Sequence, residues 1–129
     1  MGENDFHHLT AGWHPLEHVP DPIRWTSKAS DFLLRAASCQ ELFVEATVWG
    51  KDLAARTVRG RIELEGQDLG PFCVESNRWN ILSFRLPGPL ADPVVQGRIL
   101  TEETWVPAEE GLGGDTRQLG IAVRRIWVA

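Results

Sequence analysis

The chain has 129 residues, 43% hydrophobic and 24% charged, which suits one domain with a closed core and excludes compositional disorder. Thirteen Lys and Arg against eighteen Asp and Glu leave a net charge of −5, which argues against nucleic acid as a partner. No apolar run approaches the ~18 residues of a membrane span, and the opening MGENDFHHLT lacks the basic and apolar stretches of a secretory leader, so a cytoplasmic location without membrane contact is expected.

All four histidines lie at the start of the chain: His7, His8, His14 and His18. The first ten residues are expected to be a flexible segment of a single domain spanning 1–129. His14-Pro15-Leu16-Glu17-His18 matches the H-x-x-E-H string of one zinc protease class, whose chemistry needs both imidazoles on one helical face. Pro15, Pro20 and Pro22 oppose that helix, and no cysteine stands at ligand spacing. An extended segment with solvated imidazoles and no metal is the expectation.

Beyond the Asp21-Pro22 break the chain alternates with period two. From Ser30 to Ala36, Phe32 and Leu34 oppose Asp31 and Arg35. From Glu41 to Trp49, Leu42, Val44, Ala46 and Val48 share one parity, while Phe43 and Trp49 fall on the wetter one. From Thr57 to Glu65, Val58, Ile62 and Leu64 face away from every charge. Gly66-Gln67-Asp68 reads as a hairpin turn into a strand from Leu69 to Glu75, with Pro71 marking an edge or a strand start. Asn80 to Leu86 forms another strand, stopped at Pro87-Gly88-Pro89. Pro107 is expected to end a further strand, and Gly111 to Gly114 to form a loop. Within Ser27–Phe32 or Pro89–Asp92 there is room for at most one helical turn.

The last strand carries a defect. Leu119, Ile121 and Val123 share odd parity, whereas Ile126 and Val128 share even parity. A β-bulge at Arg124–Arg125 returns all five to one face; the alternative is a strand end covered on both faces. About seven to nine short strands with turns every eight to twelve residues specify an all-β antiparallel sandwich, most simply a jelly roll of about eight strands.

Six Trp, five Phe and no Tyr are either bulky core fillers or aromatic platforms for a ligand. Cys39 and Cys73 are too few for a disulfide scaffold and have no histidine beside them. Glu102-Glu103, Glu109-Glu110 and Asp115 concentrate acid in one stretch, where a solvated loop is expected, with structural calcium or paired catalytic carboxylates as alternatives. No G-x-S-x-G, C-x-x-C, Walker loop or Rossmann glycine pattern is present, and the chain is not expected to be an enzyme or to need a cofactor.

In a jelly roll the first and last strands approach each other. Trp13, Glu17, Arg24, Trp25, Asp115 and Arg117 are therefore expected to meet at one rim. Indoles stack on the apolar face of a pyranose, while Asp and Arg bind its hydroxyls. The plain alternative is a structural clasp between the chain ends.

These residues also carry a resemblance. Gly12-Trp13-x-x-x-Glu17, then Arg24-Trp25-Thr26, the Ile62–Val74 hairpin, WNILSFRLP at Trp79–Pro87 and DTRQLGIAVRRIWV at Asp115–Val128 together resemble a β-sandwich module found alone or attached to bacterial glycosyltransferases and cell-surface polysaccharide proteins. The likeness runs from about Gly12 to Val128. Trp13, Glu17, Arg24, Trp25, Asp115, Arg117 and Gly120 fall on its motif positions, and Glu65-Gly66 stands where such modules often carry Asn-Gly. The resemblance implies a jelly roll similar to carbohydrate-binding modules and galactose-binding-like domains. The expected role is a non-catalytic accessory module that binds a glycan or docks to a glycan-processing protein. The alternative is a structural or protein-interaction domain, dimeric through an aromatic face near Phe43 and Trp49.

Overall fold

Alternating burial converts the period-two sequence into two facing sheets. The computed structural model describes residues 8–9, 11–18, 22–35, 39–49, 56–87, 94–111 and 113–129. Among the described residues ten strands run in order: β1 His8–Leu9, β2 Glu17–His18, β3 Pro22–Trp25, β4 Ala29–Arg35, β5 Glu41–Thr47, β6 Thr57–Leu64, β7 Gln67–Glu75, β8 Asn80–Arg85, β9 Val94–Thr101 and β10 Ala122–Val128. One antiparallel sheet has the order β1-β4-β9-β6-β7, the other β2-β3-β10-β5-β8. Setting aside the two-residue strands β1 and β2 leaves four strands in each sheet, the eight-stranded jelly roll.

The order has a simple origin. The β6–β7 hairpin sits at the middle of the chain, and outward from it β5 pairs β8, β4 pairs β9 and β3 pairs β10. The molecule is one long hairpin rolled up, so successive pairs alternate between sheets. Rolling adds the β5–β10 and β6–β9 ladders. Between the sheets lie side chains such as Phe32, Leu34, Leu42, Val44, Ile62, Ile99 and Ile126, all essentially sealed from water.

Several sequence expectations meet specific geometry. The ladder between β10 and β5 shifts register between Val123 and Arg125, so Val123 faces Ala46 and Ile126 faces Val44 on the inward side. The hairpin turn differs from the expected one. Glu65 and Gly66 alone form it, at φ 51° and 78°, and β7 starts at Gln67 rather than Leu69. Two successive positive φ values suit the right-handed twist of flanking strands. Glu65 tolerates the position because Gln96 N–H donates to its Oε1 at 2.7 Å. Pro71 lies on β7, an edge strand, as a residue without an N–H should.

Strand β9 ends at Thr101, well before Pro107, which instead opens a 3₁₀ turn over Pro107–Glu110. That is the one helical turn among the described residues; Ser27–Phe32 runs into β4, and Pro89–Asp92 lies outside them. Glu17 and His18 pair with Ile23 and Pro22 as extended chain, so the helix that the H-x-x-E-H chemistry needs does not form there. The flexible start expected for residues 1–10 lies outside the described residues apart from β1. Among the described residues no helix is long and apolar enough to cross a membrane.

Candidate functional site

The predicted rim cluster is brought together in part. Trp13 bridges Thr26, and the Thr26 carbonyl accepts from Gly120 N–H, so the N-terminal arm and the β9–β10 connection meet at one end of the sandwich. Arg117 joins them. Its Nη1 lies 2.8 Å from Glu17 Oε2, and its Nη2 donates to Asp115 Oδ2 at 2.6 Å. Asp115 also accepts from the Arg117 backbone N–H and Nε. These donors hold the Asp115 carboxyl down to about 2, and the two carboxylates push the Arg117 guanidinium upward. His14 Nε2 lies 2.8 Å from the Gln118 carbonyl, a further tie between the same segments. This set has the geometry of a clasp, with Arg117 engaged along both edges of its guanidinium.

The two indoles of the cluster face inward. Trp25 has no exposed surface and meets Trp49 and Trp105 edge-to-face, with ring centroids 5.0 and 5.4 Å away. It has no face to offer a sugar, which corrects the expectation of a platform there. Trp13 is half-buried against the core and donates its indole N–H to the Asp31 carbonyl at 2.7 Å. Arg24 is half-buried on β3 opposite Val123 and has no ion-pair partner among the described residues.

The remaining indoles separate in the same way. Trp79 lies under the Arg124 guanidinium, 4.0 Å from its ring centroid. Trp127 stacks on Phe43 across the β5–β10 ladder and carries Arg125 at 4.2 Å. Trp105 is buried, gives its N–H to the Gly120 carbonyl and is covered by Arg56 at 4.3 Å. Trp49 alone among the six indoles is exposed, at 41%. Its edge-to-face contact means that Trp25 covers at most one of its two faces.

Beside this aromatic cluster lies a cleft of about 280 Å³ lined by Arg56, Thr57, Val58, Glu103, Thr104, Trp105 and Glu110. Its volume is at the small end of ligand pockets. Arg56, immediately before β6, has its backbone fixed by reciprocal bonds with Ser76. The β9–β10 connection supplies the other wall. Trp105 and Leu119 exchange backbone hydrogen bonds across it, and Ala108 N–H donates to the Asp115 carbonyl. The Arg117 clasp therefore fastens the segment that shapes the cleft. Arg56 pairs with Glu110, and its Nη1 is covered without an acceptor. Glu103 is exposed, with no ion pair or hydrogen bond among the described residues.

Sequence reasoning noted the acidic stretch but did not reach this cleft. Its walls come from segments about fifty residues apart, and nothing local to Arg56 marks it. Trp49 had left a signal, an aromatic on the wet parity of β5. Among the described residues no three His, Cys, Asp or Glu side chains form a metal-holding group. Cys73 is a free thiol.

No family model and no curated protein matches the chain. Solved structures do. A family 35 carbohydrate-binding module from an environmental isolate superposes with a TM-score of 0.57 at 13% identity, covering 99% of this chain and 88% of that one. A CBM4 structure is similar at a TM-score of 0.47 and 13% identity, covering 94% of this chain and 77% of that one. The first likeness places the chain in the β-sandwich architecture of carbohydrate-binding modules.

Proposed function

We propose that this chain is a non-catalytic carbohydrate-binding module that serves a glycan-processing partner, with its sugar held at the end of the sandwich that carries Trp49 and the Arg56–Glu110 cleft. The observation that carries the reading is the division of the indoles. Five are covered or bonded within the protein, while Trp49 stays exposed and is joined through Trp25 to Trp105, which lines a small polar cleft. An exposed indole supplies the apolar face for a pyranose, and hydroxyl, carboxylate and guanidinium groups beside it supply directional bonds. In this reading Glu17, Asp115 and Arg117 position the site rather than touch the ligand.

The cleft argues against hydrolysis. Retaining or inverting glycosidases need two carboxylates acting in concert. Here Glu110 is tied to Arg56, which leaves Glu103 alone. The test is a fluorescence titration of the chain with a panel of neutral and charged oligosaccharides. Trp49 emission should shift on saturation, and Trp49→Ala should abolish the response while the fold persists. A silent panel overturns the reading.

One observation favours a second reading, a protein-docking domain. Ile81, 62% exposed, lies on the outer face of the second sheet beside the Phe43–Trp127 stack. Sedimentation of the wild type against Ile81→Lys examines it: a dimer lost in the variant supports self-association through this face, and a monomer in both removes the dimeric form.

A further inference from the structure

Resting on the glycan-binding reading above, we propose that the cleft selects sugars bearing a free protonated amine, 2-amino-2-deoxy sugars, over their acetylated, neutral and acidic counterparts. The argument is a charge count at a defined place. The cleft holds one cation, Arg56, and two carboxylates, Glu103 and Glu110, so its net charge is −1. Arg56 and Glu110 neutralise each other in a largely covered pair with side chains 16% and 20% exposed. The surplus therefore sits on Glu103, at the open side of the cleft.

The chain on either side of Glu103 has the same sign, while exposed Arg59 stands across from Glu102 on β6. Between Arg98 and Arg117 the chain carries Glu102, Glu103, Glu109, Glu110 and Asp115 and no Lys or Arg. Both flanking cations are engaged elsewhere, Arg98 with Asp31 and Arg117 with Asp115 and Glu17. An ammonium group on the ligand meets an unmatched carboxylate, whereas a uronate meets repulsion and an acetamide gains no charge pairing. The hydroxyls of Thr57 and Thr104 also line the cleft and serve the uncharged positions of the ring.

Calorimetric titration of the full chain at pH 6 and low salt, with trimers of glucosamine, N-acetylglucosamine, glucose and galacturonic acid, tests the proposal. The glucosamine trimer should bind about two- to fivefold tighter than the glucose trimer, the scale of one exposed ion pair, and added salt should shrink the ratio. Glu103→Gln should bring that ratio close to one, with the melting temperature unchanged. Equal affinity for the amine and neutral trimers, an acid preference, or a ratio that survives Glu103→Gln overturns this inference and leaves the glycan reading standing. Silence from all four trimers overturns the glycan reading, and this inference with it.

Discussion

The ring of Phe32 on β4 lies directly over Gly97, its cross-strand partner on β9. A Cβ at Gly97 would sit 2.2 Å from Phe32 Cζ. The same arrangement recurs between Phe72 and Gly60 on the β6–β7 pair, where the added carbon would also come within 2.1 Å of the Leu100 carbonyl. Each glycine leaves the space its neighbour's ring fills. Gly97→Ala should therefore cost about 1–3 kcal/mol through overpacking. Phe32→Leu placed in that background should recover part of the loss. Denaturant unfolding of the two single variants and the double variant checks the coupling; simple additivity would show that the ring and the glycine do not share the space.

Arg117→Ala removes the cation between Glu17 and Asp115. The residues are partly exposed, with side chains 32%, 27% and 30% accessible, so the loss should be about 1 kcal/mol rather than the several of a buried pair. A melting curve should show the drop. Sugar titration of the folded variant should retain binding, because the clasp positions the connection without contacting the ligand. Intact melting with abolished binding would instead make Arg117 a ligand contact.

The same clasp gives the acid limb of stability a direction. Folding lowers Asp115 from 3.8 to about 2, chiefly through the Arg117 side chain and backbone N–H. A carboxyl depressed on folding stabilises fully above its unfolded value and loses that contribution as pH falls toward the folded one. Melting temperature should therefore fall between about pH 4 and pH 2 more steeply in the wild type than in Asp115→Asn. Parallel curves for the two proteins would contradict the assignment.

Trp25 and Trp49 touch each other and should respond in opposite ways. Trp25→Ala empties a fully buried site and should cost about 3–5 kcal/mol. Trp49→Ala removes a ring that is already 41% exposed and should cost less, about 2 kcal/mol, while eliminating sugar binding. Unfolding and titration of both variants separate the structural indole from the recognition indole.

On the outer face of the second sheet, Arg124 spans Glu45 at 2.8 Å and the Trp79 ring. Glu45 is nearly covered, so Arg124→Ala should cost about 2–3 kcal/mol by leaving that carboxylate poorly solvated. Replacing Glu45 and Arg124 together should cost less than Arg124→Ala alone, which chemical denaturation measures directly.

The strands with clean alternation were legible because one residue in two must meet the opposite sheet. Val58, Ile62 and Leu64 show it, and the parity switch at Arg124 was readable as a bulge because only one extra residue reconciles the two halves. Strand β9 was not legible. Its inward positions include Gly97, whose volume is supplied by Phe32 from another strand, while Val94 and Leu100 lie on the outward parity. The Trp25 expectation failed for a related reason. Burial belongs to what packs on a residue, and Trp49 and Trp105 arrive from segments far along the chain. The clasp residues were legible as charges near both chain ends; the cleft was not, because no sequence pattern ties Arg56 to Glu110.

The rolled hairpin has a kinetic corollary. Among the eight longer strands described, only β6 and β7 are paired neighbours in sequence, and each pair outward closes a longer loop, up to β3 with β10. Chains dominated by such remote pairings fold in milliseconds to seconds, because loop entropy is lost before the contacts repay it. The Glu65–Gly66 turn is then the natural starting point and the β3–β10 seam the last to zip, so the end bearing Trp49 matures late and is the first to open.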